Sequence, residues 1–415
     1  MSFTRIGMVG LGYIGLPTAA LLASRGLEVI GVDVDARAVE TINAGRVHIV
    51  EPDLDIVVRS VVTTGNLRAS LTPEPADAFL VAVPTPFGDS HEPDLSYIES
   101  AARAIAPVLA AGNLVVLEST CPVGATERLS RWLAEARPDL SFPHTAGDQA
   151  DVCVAHCPER VLPGHVLQEL VNNDRVIGGL TRRCAERARE LYRVFVKGEC
   201  LITTARTAEL CKLTENAYRD VNIAFANEMS LVCEPLEVNV WELIELANRH
   251  PRVDILRPGP GVGGHCIAVD PWFIVDSAPQ AARLIRTARE VNDGKPRHVI
   301  ERIVERAERF KAPCIACFGL AFKANIDDLR ESPALAIVEE LARRGGARLL
   351  VVEPNVEVLP PSLAEFEHVT LAAGAREALA EADIVVGLVD HREFRDIAPE
   401  SLAERIVVDT RGMWR

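Results

Sequence analysis

The sequence has few aromatic residues and no long apolar run. Aromatic residues make up 5% of its 415 residues against 48% hydrophobic residues in all, so an aliphatic core is expected. No uncharged apolar run reaches the ~18 residues that a membrane-spanning helix needs, and no basic leader precedes an apolar segment with a cleavage site. We therefore expect a cytoplasmic protein with no membrane partner.

Positive charge is also scarce. Lysine and arginine number 44 against 59 aspartates and glutamates, which gives a formal net charge of -15. This acidity argues against nucleic acid or an anionic membrane as the main partner. It does not exclude a small anionic ligand held by a local group of arginines. The length exceeds the ~250–300 residues at which one hydrophobic core stops growing, so two or three domains are expected.

Cysteine is sparse. The ten cysteines are scattered over the chain and are too few for a disulfide scaffold. Most are expected to pack as small buried hydrophobic residues. Cys314 and Cys317 form a CxxC pair within the apolar run "CIACFGL", but no second cysteine pair or paired histidines complete a zinc site. The sequence therefore predicts core packing for these two cysteines and no metal centre.

The first 33 residues follow a pattern of strand, glycine turn, helix and strand. The turn places Gly10, Gly12 and Gly15 in the spacing GxGxxG, and Asp33 ends the second strand. In a dinucleotide-binding unit the first glycine permits the tight turn, the second admits a pyrophosphate and the third packs helix on strand. Asp33 is expected to bind the adenosine ribose and to repel a 2'-phosphate, so NAD is predicted over NADP.

Polar residues follow the next apolar strands. Thr85 ends the run "AFLVAVPT", Thr120 ends "NLVVLEST", and Thr126 lies in the following loop "CPVGATE". Because ligands lie outside the carboxyl ends of parallel strands, these threonines are expected to line the cofactor cleft. The alternative for any one of them is a helix cap or a turn. Glu159 and Arg160 follow a further apolar strand, and their loop is expected to face the same cleft.

A long helix is predicted from about residue 204, since "TAELCKLTENAYRDVNIAFANEMSLV" contains no glycine or proline. Lys212, Asn216 and Arg219 lie on one face of this helix, at i, i+4 and i+7. A solvated helix face is the ordinary alternative for such a stripe. Helical patterns then continue to about residue 310.

The alternation of strand and helix returns with the apolar runs "CIACFGLAF", "RLLVVEP", "ADIVVGLVD" and "RIVVDTRG". A helix is predicted from Ser332, with Pro333 in its first turn. This part lacks the glycine fingerprint, so a second dinucleotide is not expected there. The predicted fold is α/β, with two doubly wound Rossmann-like domains at 1–203 and 311–415 joined by a central helical domain at 204–310.

Several motifs occur together in a fixed order: "VGLGYIGLP", "VAVPTP", "CPERVLPG", "KLTEN", "GVGGHCIAVDP" and "FGLAFKANIDDLRESP". Over essentially the whole chain, the sequence resembles the UDP-glucose/GDP-mannose dehydrogenase family. The resemblance implies that the first domain binds NAD, that the central domain carries catalytic residues and a dimer interface, and that the last domain binds a UDP-sugar. It also implies oxidation of a primary alcohol to a carboxylate with two NAD molecules.

The resemblance assigns the central step to Cys266, within "GVGGHCIAVDP". Its thiolate would hold the aldehyde as a thiohemiacetal, which the second oxidation turns into a thioester that water cleaves. Lys212 and Asn216 are expected to stabilise the developing oxyanions, with Lys212 also exchanging the alcohol proton.

The family's water and proton network corresponds here to Asp270, Glu159 and Thr120. For Glu159, a salt bridge to a nearby arginine is an equal alternative to the role of a base. His265 is next to the thiol and is expected to take no part in catalysis, because adjacent side chains usually point apart.

The remaining binding residues are carried over from the same motifs. The implied cofactor residues are Gly10, Gly12, Tyr13, Ile14, Gly15, Asp33, Thr85, Thr126 and Arg330. The implied substrate residues are Arg160, Val161, Lys212, Asn216, Arg219, His250, Arg252, Gly263 and Lys323. Arg330 resembles a position that reaches the NAD site of a partner subunit, which implies a homodimer built around the helical middle.

Glu159 followed by Arg160 and Val161 resembles the family members that act on N-acetylated sugars. The implied reaction is four-electron oxidation of UDP-N-acetyl-D-mannosamine to UDP-N-acetyl-D-mannosaminuronate, forming two NADH, for a bacterial surface polysaccharide. UDP-N-acetylglucosamine and UDP-glucose are alternative substrates. Two other classes also stay open: a β-hydroxyacid dehydrogenase, which needs no thiol, and a nucleotide-sugar sensor without turnover.

Overall fold

The computed structural model describes residues 3–88, 91–162, 164–264 and 266–414. The chain forms two compact units, one of Met1–Glu215 with Asp276–Ala278 and the other of Asn216–Val275 with Pro279–Arg415. The three-domain division predicted above stays a prediction.

The first unit is built on an eight-stranded sheet. Its strands are β1 Arg5–Val9, β2 Glu28–Val32, β3 Leu67–Ser70, β4 Ala78–Val81, β5 Leu114–Leu117, β6 Cys153–His156, β7 Arg175–Gly179 and β8 Cys200–Thr204. Its helices are α1 Gly15–Ser24, α2 Ala36–Asn43, α3 Leu54–Thr63, α4 Ser96–Ile105, α5 Ala125–Ala136, α6 Pro143–Ala146, α7 Val166–Asn172 and α8 Arg182–Tyr192. The start of α9 Ala205–Cys233 also belongs to this unit.

The strand order is β3-β2-β1-β4-β5-β6-β7-β8. The order reverses between β1 and β4, so the loop after β1 opens at a switch point, where such sheets bind ligands. Strands β1 to β6 are parallel, whereas β7 runs antiparallel to β6. Strands β4 and β5 are buried along their whole length, and two separate aliphatic clusters contain the core residues of this sheet. Helices cover both faces of such a sheet, as the doubly wound prediction requires.

The remaining strands are β9 Cys314–Phe318, β10 Arg348–Val352, β11 Val369–Leu371, β12 Ile384–Gly387 and β13 Ile406–Asp409. The remaining helices are α10 Val240–Ala247, α11 Asp270–Ser277, α12 Arg283–Ala307, α13 Pro333–Arg344, α14 Pro361–Ala364, α15 Ala375–Glu381 and α16 Arg392–Arg395. The five strands form a parallel sheet in the order β11-β10-β9-β12-β13. Cys314 and Cys317 are both buried on the central strand β9, which confirms that they pack in the core.

The predicted helices are present. The stretch free of glycine and proline forms the 29-residue helix α9, and α12 continues through Pro296. Helix α13 begins with Pro333 after Ser332, whose side chain accepts a hydrogen bond from Leu335 N. Two Rossmann-like sheets with a helical stretch between them in sequence confirm the predicted fold class. No helix in the described residues is long and apolar enough to cross a membrane.

Candidate active site

The loop between β1 and α1 carries the glycine fingerprint. Gly10 has a φ of 89°, and a Cβ added there would lie 2.3 Å from the Ala82 carbonyl oxygen. A Cβ at Gly15 would lie 1.8 Å from the Gly10 carbonyl oxygen, so α1 starts directly against the turn. A Cβ at Gly12 would have no described atom within 4 Å. The fold therefore requires the first and third glycines, while Gly12 leaves open space that fits the close approach of a pyrophosphate.

The Asp33 carboxylate lies beside this loop. Its Oδ2 accepts a hydrogen bond from Leu11 N at 2.8 Å, and its Oδ1 accepts one from Asp35 N at 3.0 Å. These bonds fix the carboxylate at the carboxyl end of β2, where the ribose of a dinucleotide would lie. Tyr13 is exposed in the loop and Ile14 is half-buried before α1. The predicted cofactor residues of this loop therefore lie together with Asp33.

Of the three predicted threonines, Thr85 and Thr120 are joined by a hydrogen bond, and Thr126 is buried. Thr85 Oγ1 donates to the Thr120 carbonyl oxygen at 2.5 Å. Thr126 is fully buried in the first turn of α5, and its Oγ1 donates to Glu209 Oε1 at 2.6 Å. The Thr126 hydroxyl is thus bound to Glu209 and does not cap α5, whose N-cap is Gly124. Its contact with the cofactor stays a prediction.

Glu209 is not among the residues that the motifs predict, yet it fixes the loop before α5. It accepts hydrogen bonds from Gly124 N at 2.6 Å and from Thr126 N at 2.8 Å. Only 1% of the residue is exposed, and this burial raises the pKa of its carboxyl. An acid three residues before Lys212, on the apolar side of α9, is the signal in the sequence that could have identified it.

Glu159 has an enclosed carboxyl group. Its Oε1 atom is buried with no hydrogen-bond partner among the described residues, although the residue as a whole is partly exposed. Burial raises the pKa of this carboxyl to about 7, and attraction to Lys212 and Arg175 opposes the rise. A carboxyl with this pKa is suited to act as a base near neutral pH. The adjacent Arg160 instead pairs with Glu215, at 2.8 Å.

Glu118 and Arg175 act electrostatically on Glu159 and form a buried group with Tyr192, which was not predicted from the sequence. Tyr192 Oη donates to Glu118 Oε1 at 2.5 Å, and the Arg175 guanidinium carbon lies 5.9 Å from the centre of the Tyr192 ring. Arg175 favours the ionised form of Glu159, whereas Glu118 disfavours it. Charged residues directly at the ends of apolar strands are the signal: Glu118 follows β5 and Arg175 begins β7.

Cys266 is the one exposed cysteine of the ten, all of which are described. Seven are buried, and Cys200 and Cys211 are partly exposed. The Cys266 carbonyl oxygen accepts hydrogen bonds from Val269 N at 3.0 Å and from Asp270 N at 2.9 Å, so the chain turns at the thiol and enters α11. His265, which was expected to take no part in catalysis, lies outside the described residues.

Two predicted catalytic residues meet in the second unit. Asn216 Nδ2 donates to Asp270 Oδ2 at 2.5 Å, although 54 residues separate them. Asp270 is 3% exposed at the first position of α11, four residues after the thiol. The structure therefore brings the amide and the carboxylate together beside the cysteine loop.

The glycines of this loop allow close backbone packing. A Cβ at Gly263 would lie 2.4 Å from the Glu331 carbonyl oxygen, and Gly264, with a φ of 82°, packs against the Phe322 ring. Lys323 follows Phe322 and is exposed. The predicted substrate residues Gly263 and Lys323 therefore belong to two segments that pack together.

The other predicted substrate and cofactor residues of the second unit are accessible. Arg219, His250 and Arg252 are exposed, and Arg252 N donates to His250 Nδ1 at 3.3 Å. Arg330 is exposed and pairs with Asp328 at 2.6 Å. In the first unit, Val161 is partly buried against the core. Exposure is compatible with ligand binding, and the roles of these residues stay predictions.

The first unit holds the glycine loop at a switch point and the enclosed carboxyl group, and the second unit holds the exposed thiol in a glycine-rich loop. Each unit by itself has features typical of a nucleotide-dependent dehydrogenase. Three domain profiles of one family match the chain: the NAD binding domain over 4–196, the central domain over 206–294 and the UDP binding domain over 316–415. The chain belongs to the UDP-glucose/GDP-mannose dehydrogenase family.

Relatives with assigned names are similar over the full length. The chain is 66% identical over 414 residues to an NDP-N-acetyl-D-galactosaminuronic acid dehydrogenase of Ralstonia nicotianae, covering 100% of this chain and 97% of the relative. It is 61% identical over 426 residues to the UDP-N-acetyl-D-mannosamine dehydrogenase of Escherichia coli, covering 100% of both. The structure of the UDP-D-ManNAc dehydrogenase of Pyrococcus horikoshii matches with a TM-score of 0.86 at 38% identity, covering 99% of this chain and 96% of that one.

These matches confirm the family, the predicted NAD cofactor and the UDP-sugar substrate class. The protein is an NAD-dependent UDP-sugar dehydrogenase. The β-hydroxyacid dehydrogenase alternative is thereby set aside.

Proposed function

We propose that the protein oxidises C6 of UDP-N-acetyl-D-mannosamine to the carboxylate through a covalent intermediate on Cys266. The observation that carries this proposal is the exposure of Cys266 alone among ten cysteines, in a glycine-rich loop four residues before the Asn216–Asp270 pair. A thiol is well suited to this reaction, because an aldehyde carbon needs an added heteroatom before it can lose a second hydride.

Atoms and electrons balance over two oxidations. NAD, when bound at the glycine loop, supplies the hydride acceptor, and the whole reaction consumes two NAD for four electrons. In the first oxidation the C6 alcohol loses a hydride and a proton to give the aldehyde. The Cys266 thiolate adds to the aldehyde carbon, whose oxygen takes up a proton, to give a thiohemiacetal. Loss of a second hydride and of this proton leaves a thioester. Water then cleaves the carbon–sulfur bond, releasing the carboxylate and the thiol.

The other side chains stabilise charge and move protons. Lys212 and Asn216 are proposed to donate to the oxyanions that form at the substrate carbon, a role worth about 3–4 kcal/mol for a well-placed donor. Glu159 is proposed as the base that takes a proton from the hydrolytic water. Its pKa of about 7 supports this role, because a base works best when its pKa lies near the working pH. Asp270 and Thr120 are proposed to complete the proton network.

The identity of the sugar has two candidates. The sequence Glu159-Arg160-Val161 and the relatives at 61% identity that are named for UDP-N-acetyl-D-mannosamine support the manno sugar. The relatives at 65–66% identity that are named for N-acetyl-D-galactosaminuronic acid support a galacto sugar as the second candidate. The names of all these relatives support an N-acetylated hexosamine, rather than glucose, as the sugar of the substrate.

A substrate panel with NADH measured by absorbance tests the proposal. UDP-N-acetylmannosamine, UDP-N-acetylgalactosamine, UDP-N-acetylglucosamine and UDP-glucose are each supplied in limiting amount with excess NAD. Two NADH per UDP-N-acetylmannosamine, with a higher kcat/KM than for the other sugars, is the expected result. A preference for any other sugar contradicts the substrate assignment, one NADH per sugar contradicts the thioester route, and none indicates a sensor.

A homodimer is proposed around α9. Tyr218, Phe225 and Val232 are exposed by 70%, 49% and 43% and repeat every seven residues along this helix. An apolar stripe with this repeat is suited to packing against the same helix of a second copy. Arg330 is proposed to reach the NAD site of that partner. A cytoplasmic location and a product used for a bacterial surface polysaccharide complete the proposal.

A further inference from the structure

The loop that carries Cys266 is attached to α9 on both sides of the thiol. Between α10 and α11, the described residues contain no helix or strand. Before the thiol, Gly259 N donates to Asn227 Oδ1 at 2.8 Å. After it, Asp270 accepts from Asn216 at 2.5 Å. Two asparagines of one helix therefore hold the two ends of the segment 259–270.

The two attachment points lie on the same face of α9. Asn216, Asp220 and Asn227 are separated by four and then seven residues, which returns each to nearly the same side of a helix. Eleven residues of helix span ~16 Å, well within the reach of the twelve-residue loop. The spacing between the two asparagines thus sets the distance between the ends of the thiol loop.

A buried chain of polar groups orients Asn227. Its Nδ2 donates to Asn292 Oδ1 at 2.8 Å, and Asn292 Nδ2 donates to Asp220 Oδ1 at 2.8 Å. Arg289 donates to the same Asp220 oxygen at 2.5 Å. All four residues are at most 1% exposed, so water does not offer them alternative partners.

The direction of each hydrogen bond follows from the carboxylate. Asp220, when ionised beside Arg289, only accepts, so Asn292 must present its NH₂ group to it. The oxygen of Asn292 therefore faces Asn227, and Asn227 must donate to it with its own NH₂ group. Only the oxygen of Asn227 is left for Gly259 N–H. Two helices, α9 and α12, therefore specify one orientation of the amide that holds the loop.

We propose that Asn227 and Asn292 are positioning residues that hold the Cys266 loop so that the thiol captures the aldehyde before it leaves the site. This inference rests on the proposed thiohemiacetal route. A displacement of a reacting group on the order of 1 Å lowers its rate by ~10²-fold. A loosened loop should therefore slow thiol addition while the first oxidation continues, and free aldehyde should escape.

The test measures NADH per sugar and trapped aldehyde in the same reactions. Wild type, Asn227→Ala, Asn227→Ser and Asn292→Ala receive limiting UDP-N-acetylmannosamine, excess NAD and semicarbazide, and the semicarbazone is quantified by mass spectrometry. Semicarbazide condenses with the aldehyde carbonyl and releases water. Both readouts are ratios per sugar consumed, so a smaller folded fraction does not change them. Asn227→Ser keeps a polar group at a buried position if Asn227→Ala folds poorly.

Ser230→Ala is the matched control. Ser230 Oγ accepts from Lys295 Nζ at 2.5 Å and donates to the Asn227 carbonyl oxygen at 2.5 Å, so it links the same two helices while leaving the Asn227 side-chain amide and its bond to Gly259 N in place. We expect two NADH and only a background level of semicarbazone for wild type and Ser230→Ala. For the Asn227 and Asn292 variants we expect fewer than two NADH and at least about tenfold more semicarbazone than for wild type, since the capture rate falls.

The outcomes separate this inference from the proposed function. One NADH per sugar in wild type contradicts the thioester route itself. Two NADH in wild type and in all three asparagine variants, without semicarbazone, overturns the positioning role. Equal aldehyde release from Ser230→Ala also overturns it, because the effect then belongs to helix pairing in general.

Discussion

Asn216 Nδ2 lies 2.5 Å from Asp270 Oδ2, and this hydrogen bond joins the middle of α9 to the first residue of α11. Asp270 is almost fully buried, so the amide is a main partner of a carboxylate that has little contact with solvent. The bond fixes both side chains beside the thiol loop before any ligand binds. The pair is therefore a preorganised part of the site, and its stability depends on one member being neutral.

Asn216→Asp tests that dependence. Two carboxylates at this distance cannot both ionise cheaply, so one pKa of the pair should rise by about 1–3 units. At low pH one of the two carboxyl groups is protonated, and the folded protein is stable. The folded protein loses stability as the pH rises through the raised pKa, because the second carboxyl then ionises. Each unit is worth about 1.4 kcal/mol, and part of this loss is complete below pH 5. The variant should therefore lose about 0.3–2.5 kcal/mol relative to wild type between about pH 5 and pH 8. Urea unfolding at both pH values measures this difference.

Asn216→Ala is the control for charge. It removes the same hydrogen bond but adds no carboxylate, so its stability relative to wild type should change less between the two pH values than that of the aspartate variant. An equal change in the alanine variant would mean that Asp270 alone causes the effect.

The glycine loop and helix α9 could be predicted from sequence because their signals are local. Gly10, Gly12 and Gly15 lie within six residues, and each has the environment that its place in the fingerprint requires. Lys212 and Asn216 share a helix whose sequence alone predicts its length. Both predictions use only the spacing between residues that are close together in the sequence.

The support of the site could not be predicted in the same way. Glu209 binds a loop more than eighty residues earlier in the chain, and Asn227 meets Asn292 across 65 residues. Buried polar side chains of this kind resemble ordinary helix residues in sequence, because their partners come from other elements. The antiparallel strand β7 was missed for a related reason, since strand direction depends on pairing rather than on composition.

Gly12→Ala and Gly15→Ala should separate cofactor binding from folding. At Gly15 the new methyl would lie 1.8 Å from a backbone oxygen, so overpacking should cost at least about 1–3 kcal/mol and lower the Tm. At Gly12 no described atom lies within 4 Å, so the Tm should stay near that of wild type. The Gly12 methyl would instead meet the pyrophosphate and raise KM for NAD by about tenfold, or about 1.4 kcal/mol. Thermal unfolding without ligand and steady-state kinetics check both outcomes, and equal Tm losses would contradict this division.

Phe225→Glu should weaken the proposed dimer. The substitution places a charge in the middle of the exposed stripe formed by Tyr218, Phe225 and Val232, where packing against a second copy would bury it. Sedimentation velocity should show a shift from dimer to monomer at micromolar concentration. Ile56→Glu changes an equally apolar side chain, 63% exposed on α3, and should leave the dimer intact. A monomeric wild type, or equal dissociation of both variants, would argue against α9 as the interface.

The pH dependence of turnover should report Glu159. Burial raises the pKa of this carboxyl to about 7, so the base is ionised above that pH and protonated below it. If hydrolysis limits turnover, kcat should fall about tenfold per pH unit below about pH 7. Glu159→Gln should lower kcat and remove this acid limb, measured from about pH 5.5 to about pH 8.5. Persistence of the same limb in the glutamine variant would assign it to another group.

Alkylation should single out Cys266. It is the one exposed cysteine among the ten described, and burial raises the pKa of the two partly exposed thiols, Cys200 and Cys211, which lowers their thiolate fraction. Iodoacetamide should therefore add rapidly to one residue per chain, and turnover should be lost in step with this addition.

Cys266→Ser should lose the rapid label and at least about 10³-fold in kcat, because removal of a nucleophile is among the most damaging changes to an enzyme. NAD binding, measured by calorimetry, should survive in both, since the glycine loop is unchanged. Loss of NAD binding along with activity would show that the thiol supports the fold rather than the chemistry.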